Sequence, residues 1–309
     1  MDIGDLNNEM PEGDLHCGFV GLIGRPNVGK STLMNRILGQ KVSITSKKPQ
    51  TTRHRILGIK TTEKSQLIFV DTPGMHKNAK KQINKYMNKA ASGVLADVDM
   101  IVFLVEAGKW HDEDQMVLEK IQNVGVPIIL VVNKVDLYKD KDALLPYLEK
   151  LQSKFDFDNI IPVSAERGIN VTEFEELITS MLPKSCAFYP EDQITDKTDR
   201  FYSAEIVREK LMRTLGQELP YSLTVEIERF KHEDNKLVIN AIIWVERDSQ
   251  KAIIIGKGGQ NLKKTGMSAR KDLEKAFEEK VRIELWVKVK SGWSDDQRAL
   301  QSLGYTDLD

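Results

Sequence analysis

Residues 24–31 read Gly24-Arg25-Pro26-Asn27-Val28-Gly29-Lys30-Ser31. They lie between an apolar run, Cys17–Ile23, and a segment with helical spacing, Lys30–Leu38. A GxxxxGKS turn between strand and helix points successive backbone N–H groups inward around a chain of phosphates, and the helix N-terminus adds positive field there. Lys30 is then placed to reach the β and γ phosphates and the Ser31 hydroxyl to ligate Mg²⁺, with Thr32 completing the phosphate-binding set.

Working outward, Asp71-Thr72-Pro73-Gly74 ends the apolar run LIFV, 41 residues beyond Lys30 and with two strands between. Asp71 is expected to hold Mg²⁺ through water and the Gly74 N–H to contact the γ-phosphate, so this segment should respond to a tri- or diphosphate. Between the first helix and the second strand lies Pro49-Gln50-Thr51-Thr52-Arg53. A threonine hydroxyl from such a loop reaches Mg²⁺ and a threonine carbonyl the attacking water. Thr52 is the first choice and Thr51 the alternative, because the sequence does not say which points inward. Lys30, Thr52, Asp71 and Gly74 are therefore the expected catalytic residues, and Ser31, Thr52 and Asp71 the expected metal ligands.

The apolar run Pro127–Val132 ends in Asn133-Lys134-Val135-Asp136. A carboxylate at Asp136 offers two acceptors to a purine edge with a ring N–H and an exocyclic amine, which guanine has and adenine lacks. Leaving it unsatisfied would cost on the order of several kcal/mol. Asn133 is expected to tie this loop to the phosphate loop, and the Lys134 stem to cover the base plane. Ser164 and Ala165 follow the sixth strand, placing the Ala165 N–H for the guanine oxygen.

The chain has 309 residues, about two domains at ~150 residues each. It is 40% hydrophobic and 29% charged, which argues against fibrous or long disordered classes. A net charge of -1 removes overall basicity as a sign of nucleic-acid binding and leaves only a local patch to look for. The N-terminal stretch lacks the form of a secretory signal, and no window is long and apolar enough to span a bilayer. The two cysteines, Cys17 and Cys186, lack metal-type spacing and are expected as buried fillers in a reduced, cytoplasmic chain.

Strands are expected at Cys17–Ile23, Ile56–Thr62, Gln66–Val70, Met100–Val105, Pro127–Val132 and Ile160–Val163. Helices are expected at Lys30–Leu38, around Ile83–Leu95, and at Glu113–Asn123, Ala143–Lys154 and Val171–Met181. This alternation predicts an α/β domain over residues 17–182, a mostly parallel, doubly wound sheet, preceded by an extension over 1–16. Residues 183–200 read as a linker pinned to a surface by Phe188 and Tyr189.

Residues 201–309 predict a smaller α+β domain with a C-terminal tail. Its expected elements are a helix Ser203–Leu215, a hairpin of Ser222–Lys231 and Lys236–Glu246, the segment IIIGKGGQNLKKTG, a helix Met267–Glu278 and a strand Val281–Lys290, in the order helix, strand, strand, helix, helix, strand. The stretch 251–271 carries Lys251, Lys257, Lys263, Lys264, Arg270 and Lys271 with no Asp or Glu, although 201–309 holds 19 basic against 18 acidic residues. Positive charge is thus concentrated around Gly256-Lys257-Gly258-Gly259, a GXXG turn of the kind that clamps about four nucleotides between two helices. A protein-docking unit is the alternative. Trp286 and Trp293 could stack bases, but Trp286 alternates with Leu285 and Val287 and reads as packing. Trp293 is placed to anchor the segment Asp295–Leu303 on the second domain.

Taken together, GRPNVGKST, QTTRHR, DTPGMH, NKVD and VSAERG resemble the Era family of ribosome-associated GTPases. ELPYSLTVEIERF, IIIGKGG and ELWVKVKSGWSDD extend the resemblance to the C-terminus. It implies a P-loop GTPase domain followed by a type II KH domain. The first would bind GTP or GDP with Mg²⁺ and hydrolyse GTP, and the second would bind the 3′ end of small-subunit ribosomal RNA and assist small-subunit maturation. The expected partner is the small ribosomal subunit and the expected state a monomer. Peripheral membrane contact stays open, though no Lys-rich amphipathic helix argues for it. The alternative is a GTPase signalling switch whose KH-like unit docks a protein. Met75 stands where Ras-like enzymes place the water-orienting glutamine, which implies membership of the GTPases with a hydrophobic residue there. An asparagine at the place of Asn27 helps bind K⁺ in related GTPases, which adds Asn27 to the catalytic candidates. The bland alternative is that it bonds its own loop.

Overall fold

The computed structural model describes residues 15–75, 81–138, 142, 144–216 and 219–305. Most of the N-terminal extension, His76 and the last residues of the tail lie outside them.

The first half is an α/β sandwich. Its strands are β1 (Leu15–Ile23), β2 (Ile56–Thr61), β3 (Ser65–Asp71), β4 (Met100–Glu106), β5 (Ile128–Asn133) and β6 (Asn159–Pro162), with helices α1 (Lys30–Leu38), α2 (Gln82–Gly93), α3 (Asp112–Ile121), α4 (Leu144–Gln152) and α5 (Val171–Met181). The sheet order is β2-β3-β1-β4-β5-β6, parallel except for β2. Strands buried on both faces need unbroken apolar runs. β4 is buried from Met100 to Val105 and β5 throughout, and the two faces feed separate cores. This is the α/β class expected from the alternation of runs.

The stretch 183–200 is more ordered than its composition suggests. Lys184–Ser185 forms a short strand, β7, antiparallel to the start of β1. Phe188 and Tyr189 pack against Phe19, as expected, with ring centroids 5.5 and 6.5 Å away. Thr198 caps helix α6 (Asp199–Thr214), which begins four residues before the expected start. Cys17 is buried as expected, whereas Cys186 is exposed.

The second half follows the expected order: α6, β8 (Leu223–Glu233), β9 (Lys236–Val245), α7 (Asp248–Ile255), α8 (Gln260–Phe277) and β10 (Val281–Val289), then the short helix α9 (Gln297–Ser302). The sheet order is β10-β9-β8, with helices packed on one face. Helix α8 begins seven residues earlier than its pattern predicts, because Gly266 breaks the apparent propensity while Leu262, Thr265, Ala269 and Leu273 keep an inward face at helical spacing.

Two tryptophans depart from their expected places. Trp286 is 41% exposed on the side of the sheet opposite Val287, so it is not core. Trp293 is fully buried, but it joins the C-terminal segment to Ile83, Tyr86 and Met87 of α2 in the first domain. That segment therefore spans the domain junction.

Candidate functional site

The phosphate loop joins β1 to α1 at the C-terminal edge of the sheet, where open α/β folds hold ligands. Gly29 has φ 108°, and a Cβ there would collide with the Asn133 amide. Gly74 abuts the same loop, since a Cβ would lie 2.6 Å from the Pro26 nitrogen. The Lys30 ammonium is buried and donates to the carbonyls of Gly24 at 2.9 Å and Arg25 at 3.1 Å. Burial lowers its pKa to about 8, which an approaching polyanion would reverse.

Four side chains converge beside Lys30. Ser31 Oγ donates to Asp71 Oδ2 at 2.6 Å and lies 2.9 Å from Thr52 Oγ1. Ser43 Oγ donates to the same Asp71 oxygen at 2.9 Å. Asp71 Oδ1 is buried without a hydrogen-bond partner, and burial pushes its carboxyl above the ordinary range. An orphaned carboxylate oxygen beside two hydroxyls is the donor set a hard divalent cation takes, so these residues fit Mg²⁺. Thr51 points elsewhere, its hydroxyl held by Ser46 at 2.9 Å and the Lys48 carbonyl at 2.7 Å. Of the two threonines, Thr52 is the one facing Asp71. Met75 is buried in the core under α2 and presents no polar group.

On the base side, Asn133 Nδ2 donates to the Val28 carbonyl at 2.7 Å, tying the two loops as expected. Its Oδ1 accepts the Ala165 N–H at 3.0 Å, so that N–H, expected to meet a base oxygen, has an acceptor within the protein. Ser164 Oγ donates to Asp136 Oδ1 at 2.5 Å and orients the carboxylate. Lys134, in left-handed backbone conformation, reaches Glu106 at 3.0 Å. Burial pulls the Glu106 carboxyl upward, but hydrogen bonds from Lys109 and Lys134 outweigh it and hold the pKa at about 2.

A cleft of about 900 Å³ connects these parts. Pro26, Asn27, Gly29, Lys30, Ser31, Thr32, Thr72, Gly74, Asn133, Lys134, Asp136 and Ala165 line it, whereas Gly24, Arg25, Val28 and Pro73 stand behind it. Arg25 instead pairs with Glu106 at 3.3 Å and Asp114 at 3.2 Å, and Val28 is fully buried. Asn27 Nδ2 donates to the Lys47 carbonyl at 2.9 Å, so its amide reaches the loop between α1 and β2 rather than only its own.

Residues that sequence reasoning missed come mostly from the second domain. Met212 and Arg213 of α6 form part of the cleft wall, and Ile44 of the α1–β2 loop is buried in the second domain's core. Glu209 accepts the Thr45 N–H at 3.0 Å and Lys41 at 2.6 Å, while Arg208, held by Glu205 at 2.5 Å, donates to the Thr51 carbonyl. Arg53 is fully buried and donates to the carbonyls of Leu223 at 2.7 Å and Pro220 at 3.0 Å. No spacing rule announces these pairs. Glu106 could have been found, because it closes β4 at the ligand edge of the sheet.

A second concavity of about 770 Å³ lies between α8 and β10, with Gly259 at one end. Leu262, Met267, Ile283 and Leu285 give an apolar floor, and Lys263 and Arg270 stand on the rim with Lys236, Lys280 and Arg282, which the sequence reading had not singled out. Lys257 and Gly258 are exposed at the turn, and Gly256 begins it. Lys264 and Lys271 lie around the side of α8, and Lys251 is half-buried on α7, so these three do not line the groove.

Comparison with known proteins agrees with both halves. Residues 19–134 match the family described as 50S ribosome-binding GTPase, and residues 218–294 match the KH domain family. GTPase Era of Pseudomonas savastanoi pv. phaseolicola is 59% identical over 292 residues, covering 94% of this chain and 97% of the relative. GTPase Era of Haemophilus influenzae is 56% identical over 293 residues, with the same coverage. Among solved structures, Aquifex aeolicus Era bound to GDP·AlF4⁻ is 39% identical with TM-score 0.91, covering 94% of this chain and 99% of that one. Era in complex with MgGDPNP and nucleotides 1506–1542 of 16S ribosomal RNA has TM-score 0.92 at 39% identity and the same coverage. No described helix is long and apolar enough to cross a membrane.

Proposed function

The chain belongs to the Era family of GTPases, and from that premise we propose that it hydrolyses GTP in the cleft around Lys30 and binds the 3′ end of small-subunit ribosomal RNA in the groove beside Gly258. In this reading it serves maturation of the small ribosomal subunit, as a monomer in the cytoplasm. The observation that carries the enzymatic half is the convergence of Ser31, Thr52 and the half-unpaired Asp71 next to Lys30.

Lys30 meets the β and γ phosphates, and the loop N–H groups around Gly29 complete the cradle. The Ser31 and Thr52 hydroxyls and the Asp71 carboxylate would hold Mg²⁺, which would supply positive charge against that developing on the phosphates. Gly74, packed against Pro26, presents its N–H toward the γ-phosphate. Met75 cannot orient water, so hydrolysis relies on positioning by the loop 39–55 and on cations. Asn27, already bridging to the Lys47 carbonyl, is suited to help hold K⁺ there. Asp136, oriented by Ser164, reads the guanine edge, while Asn133 braces the base loop and Lys134 flanks it.

The solved relative that holds nucleotides 1506–1542 of 16S ribosomal RNA supports the RNA half. In this chain an apolar floor with basic side chains on its rim fits unstacked bases turned inward and phosphates outward. Crosslinking in cells followed by sequencing of the attached RNA is the test. Enrichment of the small-subunit 3′ end is the expected result. Recovery of no ribosomal RNA would overturn the reading and leave the second domain as a protein-docking unit.

A further inference from the structure

The phosphate loop and the base loop leave the sheet from β1 and β5, and β4 pairs with both of those strands. Glu106 closes β4 and so stands between the two loops. Its Oε2 lies 3.3 Å from Arg25 Nη2 of the phosphate loop and 3.0 Å from Lys134 Nζ of the base loop. Its Oε1 accepts from Lys109 at 2.5 Å. The Arg25 and Glu106 side chains are only 14% and 13% exposed, so this bridge is not one of the solvated surface pairs that contribute little.

The two ends of the bridge are held differently. Arg25 is gripped twice, because its Nε also donates to Asp114 Oδ2 at 3.2 Å, and Asp114 accepts the His111 N–H at 2.9 Å at the start of α3. The Arg25 carbonyl in turn accepts from the Lys30 ammonium at 3.1 Å. Lys134 has a single anchor: among the described residues, Glu106 is the one carboxylate within salt-bridge distance of it. Its backbone lies at φ 66° and ψ 35°, the left-handed region where a Cβ crowds the following carbonyl oxygen, and such a conformation persists only where the surroundings hold it. Lys134 leads directly into the turn Val135–Leu137, which carries Asp136. Ser164 and the Val163 carbonyl hold that turn to the segment after β6, and Asn133 reaches the Val28 carbonyl through a neutral amide. Glu106 supplies the charged tie between the base loop and the arginine whose carbonyl holds Lys30.

We propose that Glu106 is a positioning residue for the nucleotide: anchored on Arg25, it holds Lys134 beside the base and so sets the span between Lys30 at the phosphates and Asp136 at the guanine edge. A ligand that uses both ends of the cleft feels this span, whereas one that uses the phosphate end alone does not. The proposal rests on the GTPase reading of the cleft above.

The test uses the full chain with Mg²⁺, titrated with GDP and with inorganic tripolyphosphate, together with steady-state hydrolysis of GTP. Glu106→Gln keeps the shape of the side chain and removes its charge. It should weaken GDP about tenfold and raise the KM for GTP by the same factor while kcat holds, as expected when binding is lost equally from ground and transition states. Tripolyphosphate should bind this variant as it binds the parent, because Asp114 still grips Arg25. In a Lys134→Met background the same change should weaken GDP less than about twofold, since the ammonium it acts through is gone. A carboxylate that only braces the end of β4 would lower the urea midpoint and leave GDP affinity and the KM unmoved, and that result overturns the proposal. An equal loss of tripolyphosphate affinity, a fall in kcat with KM unmoved, or a loss of GDP affinity that persists in full without the Lys134 ammonium overturns it too. If circular dichroism shows that Glu106→Gln does not fold, Glu106→Asp takes its place: one methylene shorter, its carboxylate cannot reach both cations, so GDP should still weaken, and parent-like binding overturns the proposal. Lys30→Ala tests the premise separately. It should abolish tripolyphosphate binding, and parent-like binding of tripolyphosphate and GDP by that variant would remove the reading of the cleft itself, and the role of Glu106 with it.

Discussion

The nucleotide cleft and the RNA groove are built on opposite plans. In the cleft nearly every polar group already has a protein partner: Lys30 on two carbonyls, Asp136 on Ser164, Asn133 on Val28 and Ala165, Thr52 on Ser31. In the groove Lys263 and Arg270 stand exposed on the rim above an apolar floor, Arg270 beside Glu274 at 3.8 Å. Chemistry on a phosphoryl group demands donors fixed before the substrate arrives, because reorganisation at the moment of reaction raises the barrier. Binding a flexible polyanion demands reachable charge and stacking area, and tolerates mobile side chains. The cleft also borrows rigidity from the other domain, since α6 and β8 hold the loop that carries Thr52.

The sharpest way to break this contrast is to cut that support. Arg53→Met keeps most of the stem but strands the carbonyls of Leu223 and Pro220, and should destabilise the protein by about 3–5 kcal/mol. Denaturant unfolding reads it, and a change within about 0.5 kcal/mol would mean that the loop is not anchored through this arginine.

Within the cleft, Asp136→Asn should weaken GTP about a hundredfold, roughly 2.7 kcal/mol, and raise relative affinity for xanthosine triphosphate. The amide cannot present two acceptors to the base edge. Unchanged nucleotide preference in a competition titration would remove Asp136 from base reading. In the groove, the corresponding single change should do less, because contacts there are distributed. Gly258→Asp, at φ 59° with no heavy atom within 4 Å of the added Cβ, should fold and lose RNA affinity about tenfold. Lys257→Ala should lower the salt slope by about 0.7. Anisotropy at two salt concentrations checks both, and equal slopes would take Lys257 off the phosphate path.

The junction should also register pH. His54 stacks on Tyr305 at 4.5 Å between centroids, and burial lowers its pKa to about 4. The unfolded chain takes up that proton near 6.5, so the native contribution is complete above 6.5 and erodes as pH falls toward 4, by at most about 1.4 kcal/mol per pH unit. His54→Phe should flatten this part of the stability profile in denaturant titrations; an identical profile would show that His54 does not set it. The smallest effect belongs to Asn27→Ala, which should abolish a modest preference of the hydrolysis rate for K⁺ over Na⁺ while GTP affinity holds. A parent rate independent of the cation would return Asn27 to a purely structural bond with Lys47.

The amino-acid order was enough to place the phosphate loop, the Asp71 turn, the NKVD segment and the GKGG turn, and to give the class of both folds. Each of these depends on residues adjacent in the chain: glycine where backbone approaches closely, apolar runs where strands are buried twice, acid-free stretches where charge collects. Packing alone decided the rest. Thr52 faces Asp71, rather than Thr51, because Arg208 and Arg53 from either side fix the loop's path, through contacts 157 and 170 residues apart in sequence. Trp286 faces outward because the helices cover the other face of the sheet, the one its neighbours Leu285 and Val287 enter. Local patterns encode which side of an element is apolar, whereas the identity of its partner, and whether it has one, follows from the simultaneous packing of all elements.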